Sequence, residues 1–325
     1  MSHDPGALDL LSSLSLLSSR VEKAIGCTWM PDGSCLITGF DSFDLHATCQ
    51  CGQAFRWRRT GRHGEIEEGV VEGRLIRLEQ CDDGLIVHRP ACRETVDMVV
   101  RYFRLDHAHS LIEDTLEALD PVMAMAVPAS RGLRLVAQDP WECLISYILS
   151  ANNSVQQISR VVESLADTWG SPTFGEGPSH SLRRAFPGPE ALCSATECDV
   201  RACKAGFRAI AVCQAAEKVS SGKLDLDKLS RMSYSSARAH LIELRGVGEK
   251  IADCVLLFSM GKFEAFPVDV WIERAVRHFY FSGKPVNHKE IRQFAAEHFG
   301  SLAGYAQEYL FNFARTRVPN TLRAD

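Results

Sequence analysis

The sequence of 325 residues lacks an excess of basic residues, a long apolar run and cysteines near its C-terminal end. The net charge of −5 gives no overall attraction to nucleic acid, so a site for a polyanion has to be a local patch. No apolar run approaches the length of a membrane-spanning helix, and we expect no membrane partner. No cysteine follows Cys254, which excludes an iron–sulfur loop in the C-terminal part.

The cysteines that are present do not have the spacing of a metal site. Two closely spaced groups lack zinc-finger spacing, namely Cys49 with Cys51, and Cys193 with Cys198 and Cys203. The N-terminal segment lacks the positive region of a secretory signal, and Asp4 and Asp9 argue against a mitochondrial presequence. We therefore expect an intracellular protein that is not secreted, with free thiols, no metal and no cofactor.

The periodicity of the sequence changes near Glu94. Before it, short runs separated by turn residues predict strands at about 34–38, 66–71, 75–78 and 85–88, and hence an antiparallel sheet. After it, nearly every segment has helical periodicity, for example 155–169, and Ser194 with Glu197 has the spacing of a capping box. These patterns predict an α+β fold. We divide it into an arm or helix (1–25), a sheet domain with flanking helices (26–135) and a helical domain (136–325).

One stretch combines glycines, a lysine and a carboxylate. Gly246 and Gly248 lie between two apolar helical segments, where glycine allows positive φ and a close approach of backbone amides to a partner. The N-terminus of the second helix favours an anion such as a phosphate. Lys250 lies in its first turn, where a cation is disfavoured, and Asp269 opens the next helix behind Pro267. Together these residues suggest covalent chemistry on a nucleotide.

Leu244-x-Gly-Val-Gly-x-Lys250 with Pro267-Val-Asp269 resembles the helix–hairpin–helix and Gly/Pro-rich–Asp signature of the DNA base-excision glycosylases. Further blocks narrow the resemblance to 8-oxoguanine DNA glycosylase/AP lyases, and together they span about residues 30 to 315. These blocks are Cys51-Gly-Gln-Ala-Phe-Arg-Trp57, Gln138-Asp-Pro-Trp-Glu-Cys143 with Ser150-Ala-Asn-Asn153, Ala205-Gly-Phe-Arg208, and Ala303-Gly-Tyr-Ala-Gln-Glu-Tyr-Leu-Phe311. The resemblance implies a TBP-like sheet domain, a helical domain with the hairpin, damaged double-stranded DNA as partner, and a monomer.

The resemblance makes Lys250 the nucleophile that attacks C1′ of the damaged nucleotide, expels the base and forms a Schiff base, followed by β-elimination. The amine has to be neutral for this step, which a helix N-terminus and partial burial favour. Asp269 would stabilise positive charge on the sugar and position the amine. The alternatives are a surface lysine that contacts phosphate and a carboxylate that only caps a helix.

By resemblance, Gly52, Cys254, Gln307 and Phe311 form the pocket for the flipped base. The carbonyl of Gly52 would attract the N7–H of 8-oxoguanine and repel the N7 lone pair of guanine. Gln307 would read the Watson–Crick edge, and Phe311, four residues later on the same side of a helix, would stack on the ring. The alternatives are a hairpin glycine at Gly52 and core packing of Phe311.

Other residues resemble the family's DNA contacts. Asn152 would fill the space left by the base, Phe207 would wedge the stack, and Arg208 would hold the orphaned cytosine. Gly246, Val247 and Gly248 would hold the backbone through their amides; a bridging cation is left open. A turn at Asn152 and a buried helix start at Phe207 are the alternatives. Two basic runs, Arg56 to Arg59 and Arg201 to Arg208, support a DNA face or a solvated surface.

The sequence departs from the family pattern at three positions. Gln157 stands where animal-type members carry an arginine that contacts the orphaned cytosine, so we predict a looser preference for cytosine opposite the lesion. Trp271 stands where many members have a histidine near a DNA phosphate, and Phe207 replaces a tyrosine wedge.

Two rival functions are considered. A monofunctional alkylbase glycosylase activates water and lacks the hairpin lysine, so Lys250 discriminates against this possibility. A non-catalytic DNA-binding protein would use the hairpin only for grip, and would leave the co-occurrence of Lys250, Asp269, Gly52 and Gln307 unexplained.

Overall fold

The computed structural model of the protein describes residues 24–173 and 183–317. It confirms the α+β class, because a six-stranded antiparallel sheet precedes a mostly helical body. The predicted arm at 1–25 falls almost wholly outside the described residues. Within those two ranges, no helix is long and apolar enough to cross a bilayer.

The sheet has the strand order β1–β2–β6–β5–β4–β3, and each neighbouring pair is antiparallel. Its strands are β1 (Gly26–Trp29), β2 (Cys35–Thr38), β3 (Trp57–Thr60), β4 (Ile66–Val71), β5 (Arg74–Cys81) and β6 (Gly84–Val87). The predicted runs correspond to β2, β4, β5 and β6. The sequence patterns do not predict the two edge strands, β1 and β3, in which no residue is buried.

Fifteen α-helices are described in the two ranges. Those in the first half are α1 (Leu45–Gln50), α2 (Arg93–Tyr102), α3 (His109–Glu117), α4 (Met123–Ala126), α5 (Pro140–Leu149) and α6 (Val155–Trp169). The middle of the chain contains α7 (Pro189–Cys193), α8 (Glu197–Val200), α9 (Ala209–Ser220), α10 (Leu226–Arg231) and α11 (Tyr234–Ile242). The last are α12 (Glu249–Met260), α13 (Val270–Tyr280), α14 (His288–His298) and α15 (Ala303–Thr316).

Side-chain caps fix several helix starts. Asp139 accepts a hydrogen bond from the Glu142 amide and, with Pro140, begins α5. The helix predicted at 155–169 is confirmed as α6. The capping box predicted at Ser194 and Glu197 is wrong, since Thr196 and Asp199 form it. Ser194 instead ends α7, and its hydroxyl donates to the Ala191 carbonyl.

Two large apolar clusters form most of the core of the described residues. The smaller one lies under the sheet and contains Ile37, Leu78, Leu85 and Phe103 among its buried members. The larger one fills the helical body and also receives Cys51 and Phe55 from the segment that precedes β3. The chain around Gly52 is therefore held against the helices, although it belongs to the sheet half of the sequence.

Buried ion pairs join the sheet half to α6. Arg56, which is 3% exposed, donates to the Glu163 carboxylate at 2.9 Å and to the Arg184 carbonyl at 2.6 Å. Arg183 also pairs with Glu163. A charge this deeply buried requires such partners. The arginine run that begins at Arg56 is therefore not a free basic patch, and Arg58 in the same run pairs with Glu68 at 2.5 Å.

Candidate active site

The hairpin between α11 and α12 has two different glycines. Gly246 has φ of +79°, and a Cβ there would lie 2.8 Å from the Cβ of Ala211, so both the backbone and the packing require glycine. The expectation of positive φ is wrong for Gly248, which is extended with φ −91° and ψ −179°. A Cβ at Gly248 would meet no atom of the described residues within 4 Å, which leaves room for a partner. Val247, between them, is buried.

The two helices of the hairpin are held together by a buried carboxylate. Asp253 on α12 accepts from the Tyr234 hydroxyl and from Nε of Arg238, both on α11 and both at 2.7 Å. Arg238 also pairs with Glu249 at 3.2 Å. These bonds fix the direction of the first turn of α12, and with it the position of Lys250.

A half-open pocket of about 370 Å³, its open mouth included, lies between α5, α12, the start of α13, α15 and the segment 52–53. The pocket brings together six of the predicted residues: Gly52, Lys250, Cys254, Asp269, Gln307 and Phe311. They come from segments up to about 260 residues apart in the sequence.

Lys250 and Asp269 lie in this pocket in different surroundings. Nζ of the half-buried Lys250 is 5.5 Å from the ring centroid of Tyr147. The Asp269 carboxylate accepts from the Ile272 amide at 2.9 Å and so caps α13. Burial raises the pKa of Asp269, while this hydrogen bond and the charge of Lys250 oppose the shift. The cap predicted at Asp269 is thus present, and the carboxyl group still lines the pocket.

Gly52 is held rigidly by its neighbour Gln53. The buried Gln53 side chain donates to the carbonyls of Thr48 and Arg134, at 3.1 and 2.8 Å, and accepts from the Val136 amide at 2.9 Å. The Tyr147 hydroxyl donates to the Gln53 carbonyl at 3.0 Å. Gly52 has φ of +107°, a conformation that L side chains rarely adopt.

The remaining predicted pocket residues are the polar Gln307, the aromatic Phe311 and the thiol Cys254. Gln307 is 5% exposed, and its Oε1 has no hydrogen-bond partner among the described residues. Such a buried, unpaired oxygen is costly unless a ligand satisfies it. Phe311 is half-buried on the same helix, so it is not a pure core residue, and Arg315 lies 5.1 Å from its ring centroid. Burial raises the pKa of the Cys254 thiol to about 12.

Four further residues line the pocket that the sequence analysis does not single out, namely Gln53, Tyr147, Phe258 and Glu308. Gln53 and Glu308 directly follow residues that were predicted, Gly52 and Gln307. The sequence signal that could have identified Glu308 is a charged residue within an apolar helical segment, since the neighbouring residues of its helix are buried.

The predicted DNA contacts form a second region. Asn152, Gln157 and Arg208 line an open pocket, and Arg208 also shares a groove with Phe207 and Gly246. Asn152 is exposed with φ of +49°, which asparagine tolerates better than most residues. Phe207 is 59% exposed, so a buried helix start is excluded.

Arg208 is engaged with the protein itself. Its guanidinium group donates to the carbonyls of Ala151 and Asn152, the latter at 2.9 Å, and lies 4.4 Å from the Phe207 ring centroid. Trp271 lies half-buried in the first turn of α13. A hydrogen bond from its backbone amide opposes the rise in the pKa of Asp269. In the second basic run, Arg201 pairs with Glu197 at 2.6 Å.

Comparison with known proteins gives consistent matches along the chain. The model of the 8-oxoguanine DNA glycosylase N-terminal domain matches residues 36–144, and that of the HhH-GPD superfamily base excision DNA repair protein matches residues 145–300. A probable N-glycosylase/DNA lyase of Methanothermobacter thermautotrophicus is 33% identical over 306 residues, covering 84% of this chain and 94% of that protein. An N-glycosylase/DNA lyase of Saccharomyces cerevisiae is 28% identical over 309 residues, 81% of each chain.

A solved structure is also similar. It is the Clostridium acetobutylicum 8-oxoguanine glycosylase/lyase in complex with double-stranded DNA containing cytosine opposite 8-oxoguanine. The TM-score is 0.83 at 31% identity, and the match covers 90% of this chain and 97% of that one.

Proposed function

The chain belongs to the 8-oxoguanine DNA glycosylase family of HhH-GPD base excision repair proteins, and from this premise we propose that it is a bifunctional N-glycosylase/DNA lyase that removes 8-oxoguanine from duplex DNA. The observation that carries the proposal is the convergence of Lys250, Asp269, Gly52, Gln307 and Phe311 on one pocket. We also expect a monomer that acts on genomic DNA inside the cell.

Lys250 is the proposed nucleophile. Its neutral amine attacks C1′ of the flipped nucleotide, the bond between C1′ and the base breaks, and the base departs with the bonding electrons and takes up a proton. Opening of the sugar ring then gives a Schiff base between Nζ and C1′. Loss of a C2′ proton from this species expels the 3′ phosphate by β-elimination. Its first-turn position on a helix fixed by Asp253 supports this assignment.

Asp269 acts beside the amine. As the base leaves, positive charge develops on the sugar, and a preorganised carboxylate beside it stabilises that charge. The cap hydrogen bond from Ile272 fixes one carboxylate oxygen, Oδ1, and so orients the group. The cap and the electrostatic role are therefore compatible in one residue.

The backbone carbonyl of Gly52 discriminates between 8-oxoguanine and guanine. The oxidised base has an N–H at position 7, where guanine has a lone pair, so a fixed carbonyl attracts one base and repels the other. The hydrogen bonds of Gln53 restrict movement of this segment. The buried oxygen of Gln307 accepts a hydrogen bond from the Watson–Crick edge of the base. Phe311 and Cys254 contact the faces of the base.

The second region holds the distorted duplex. Asn152 enters the space that the flipped base leaves, and exposed Phe207 wedges the stack beside it. Arg208 exchanges its bonds with the carbonyls of Ala151 and Asn152 for bonds with the orphaned cytosine. The amides at the hairpin, Gly246, Val247 and Gly248, bind the backbone, and Trp271 lies near a phosphate.

Borohydride trapping tests the proposal against the monofunctional alkylbase glycosylase. The intact protein and Lys250→Gln are each mixed with duplexes that contain 8-oxoguanine or an alkylated purine, and reduced. We expect a covalent protein–DNA complex from the intact protein with 8-oxoguanine only. Base loss without any trapped complex favours the rival. A Lys250→Gln variant that changes only affinity favours a non-catalytic DNA-binding protein.

A further inference from the structure

Glu308 is a buried carboxyl group that the mechanism above does not use. It lines the base pocket, is 3% exposed, and its Oε1 has no hydrogen-bond partner within the part of the chain that the structure describes. An unpaired carboxyl oxygen in such a place costs free energy unless a ligand satisfies it. Gln307, the preceding residue, has an unpaired oxygen in the same pocket.

The position of Glu308 on α15 indicates which atom of the flipped base it can contact. On α15, successive side chains differ by about 100°, so Glu308 is turned by about 100° from Gln307 and by about 60° from Phe311 and lines the same pocket beside them. It interacts with the thiol of Cys51, the residue before Gly52. Glu308 is thus next to Gln307, assigned to the Watson–Crick edge, and interacts with the residue before Gly52, assigned to N7–H. On a purine, the atom between these two positions is the substituent at C6, which in guanine is the acceptor O6.

We propose that Glu308 is a further residue that determines base specificity, and that its protonated carboxyl group donates a hydrogen bond to O6 of the flipped 8-oxoguanine. This inference rests on the proposed function of the pocket. A donor at this point favours a 6-oxo purine and disfavours a 6-amino purine, whose C6 substituent is itself a donor. Specificity at C6 thus has a physical source separate from the reading of N7 by Gly52.

The surroundings keep a large part of this acid protonated at neutral pH. Burial raises the pKa of Glu308 to about 7; the Cys51 thiol and Arg315 oppose the shift, and Asp269 adds to it. The titratable or charged groups that act on it or share its pocket are Cys51, Tyr147, Lys250, Cys254, Asp269 and Arg315. Because the shift is upward, the donor is present below about pH 7, and above that pH the carboxylate only accepts.

The test compares two bases that have the same glycosidic bond and differ at C6 and therefore also at N1, so the pH dependence of their ratio, rather than its size alone, reports on Glu308. Single-turnover excision is measured from duplexes that contain 8-oxoguanine or the 8-oxo form of 2,6-diaminopurine, from about pH 5.5 to about pH 8.5. The ratio of the two rates is used, because titration of groups that act on the sugar affects both rates alike. Glu308→Gln is the informative variant, since its amide is nearly isosteric and either donates or accepts at every pH. Glu297→Gln, at an exposed carboxylate, is the matched control.

For the intact protein and Glu297→Gln, we expect the ratio to favour 8-oxoguanine on the order of tenfold at low pH and to fall as pH rises through about 7. For Glu308→Gln, we expect a smaller ratio that does not change with pH. A pH-independent ratio in the intact protein, or an unaltered pH profile in Glu308→Gln, overturns this inference while excision of 8-oxoguanine still supports the proposed function. Absence of any excision overturns both.

Discussion

Asp269 is predicted to act both as a helix cap and as an electrostatic catalyst, and two substitutions separate these roles. Its Oδ1 accepts from the Ile272 amide at 2.9 Å, a bond that an asparagine oxygen reproduces and an alanine cannot. Asparagine and aspartate cap helices about equally well, whereas alanine at a cap costs about 1 kcal/mol. We therefore expect Asp269→Asn to keep the free energy of unfolding of the intact protein, and Asp269→Ala to lose about 1 kcal/mol.

The catalytic loss is expected to be larger than the loss of the cap. Removing one preorganised electrostatic group from an active site costs on the order of 10²- to 10³-fold in rate, or about 3–4 kcal/mol of transition-state stabilisation. Because Asn retains the cap but carries no charge, Asp269→Asn should lose this rate without loss of stability. The intact enzyme should also lose activity on acidification at a pH above that expected for an ordinary aspartate, since burial raises the pKa of Asp269.

Urea unfolding and single-turnover excision of 8-oxoguanine provide the two measurements. Asp269→Asn and Asp269→Ala should have similar low rates but different unfolding midpoints. The reasoning is refuted if Asp269→Asn excises the base within about threefold of the intact protein, far less than the expected loss. It is also refuted if the rates of the two variants simply follow their stabilities.

Two other substitutions test the recognition of the lesion and of the opposite base. Gly52→Ala forces a side chain onto a backbone with φ of +107°, which should destabilise the fold by about 1–3 kcal/mol in urea and reduce the discrimination between 8-oxoguanine and guanine in binding. Unchanged discrimination would contradict the role of the Gly52 carbonyl. Gln157→Arg should sharpen the preference for cytosine, which is measured by excision from duplexes with cytosine, adenine, guanine or thymine opposite the lesion; an unchanged ranking would count against the prediction for Gln157.

The sequence was most informative where function depends on neighbouring residues. The hairpin, its lysine and the capping aspartate are local patterns, and the structure places Lys250 and Asp269 in one pocket. The change of periodicity near Glu94 predicted the α+β fold. Apolar side chains recur every second residue in a half-buried strand and every three to four residues in a helix, and this difference is visible in a single sequence. The pairing of Gly52 with Gln307 required the resemblance to a family, since nothing local brings them together.

Features that depend on contacts between distant parts of the chain could not be predicted from the sequence. Arg56 belongs to an arginine run that suggests a solvated or DNA-binding surface, but its partner Glu163 lies 107 residues away and buries it. Gln53 supports Gly52 through bonds to Arg134, Val136 and Tyr147, more than 80 residues further along the chain. Burial and hydrogen bonding of this kind are properties of the tertiary fold.

The central claim is that the amine of Lys250 forms the covalent bond with C1′ of the nucleotide that carries 8-oxoguanine. The most direct measurement is proteolysis of the borohydride-trapped complex, followed by mass spectrometry of the peptide that carries the nucleotide. The account predicts a single modified peptide, with the added mass on Lys250 and none in Lys250→Gln. Attachment to another residue, or a trapped complex of equal yield from Lys250→Gln, would contradict it.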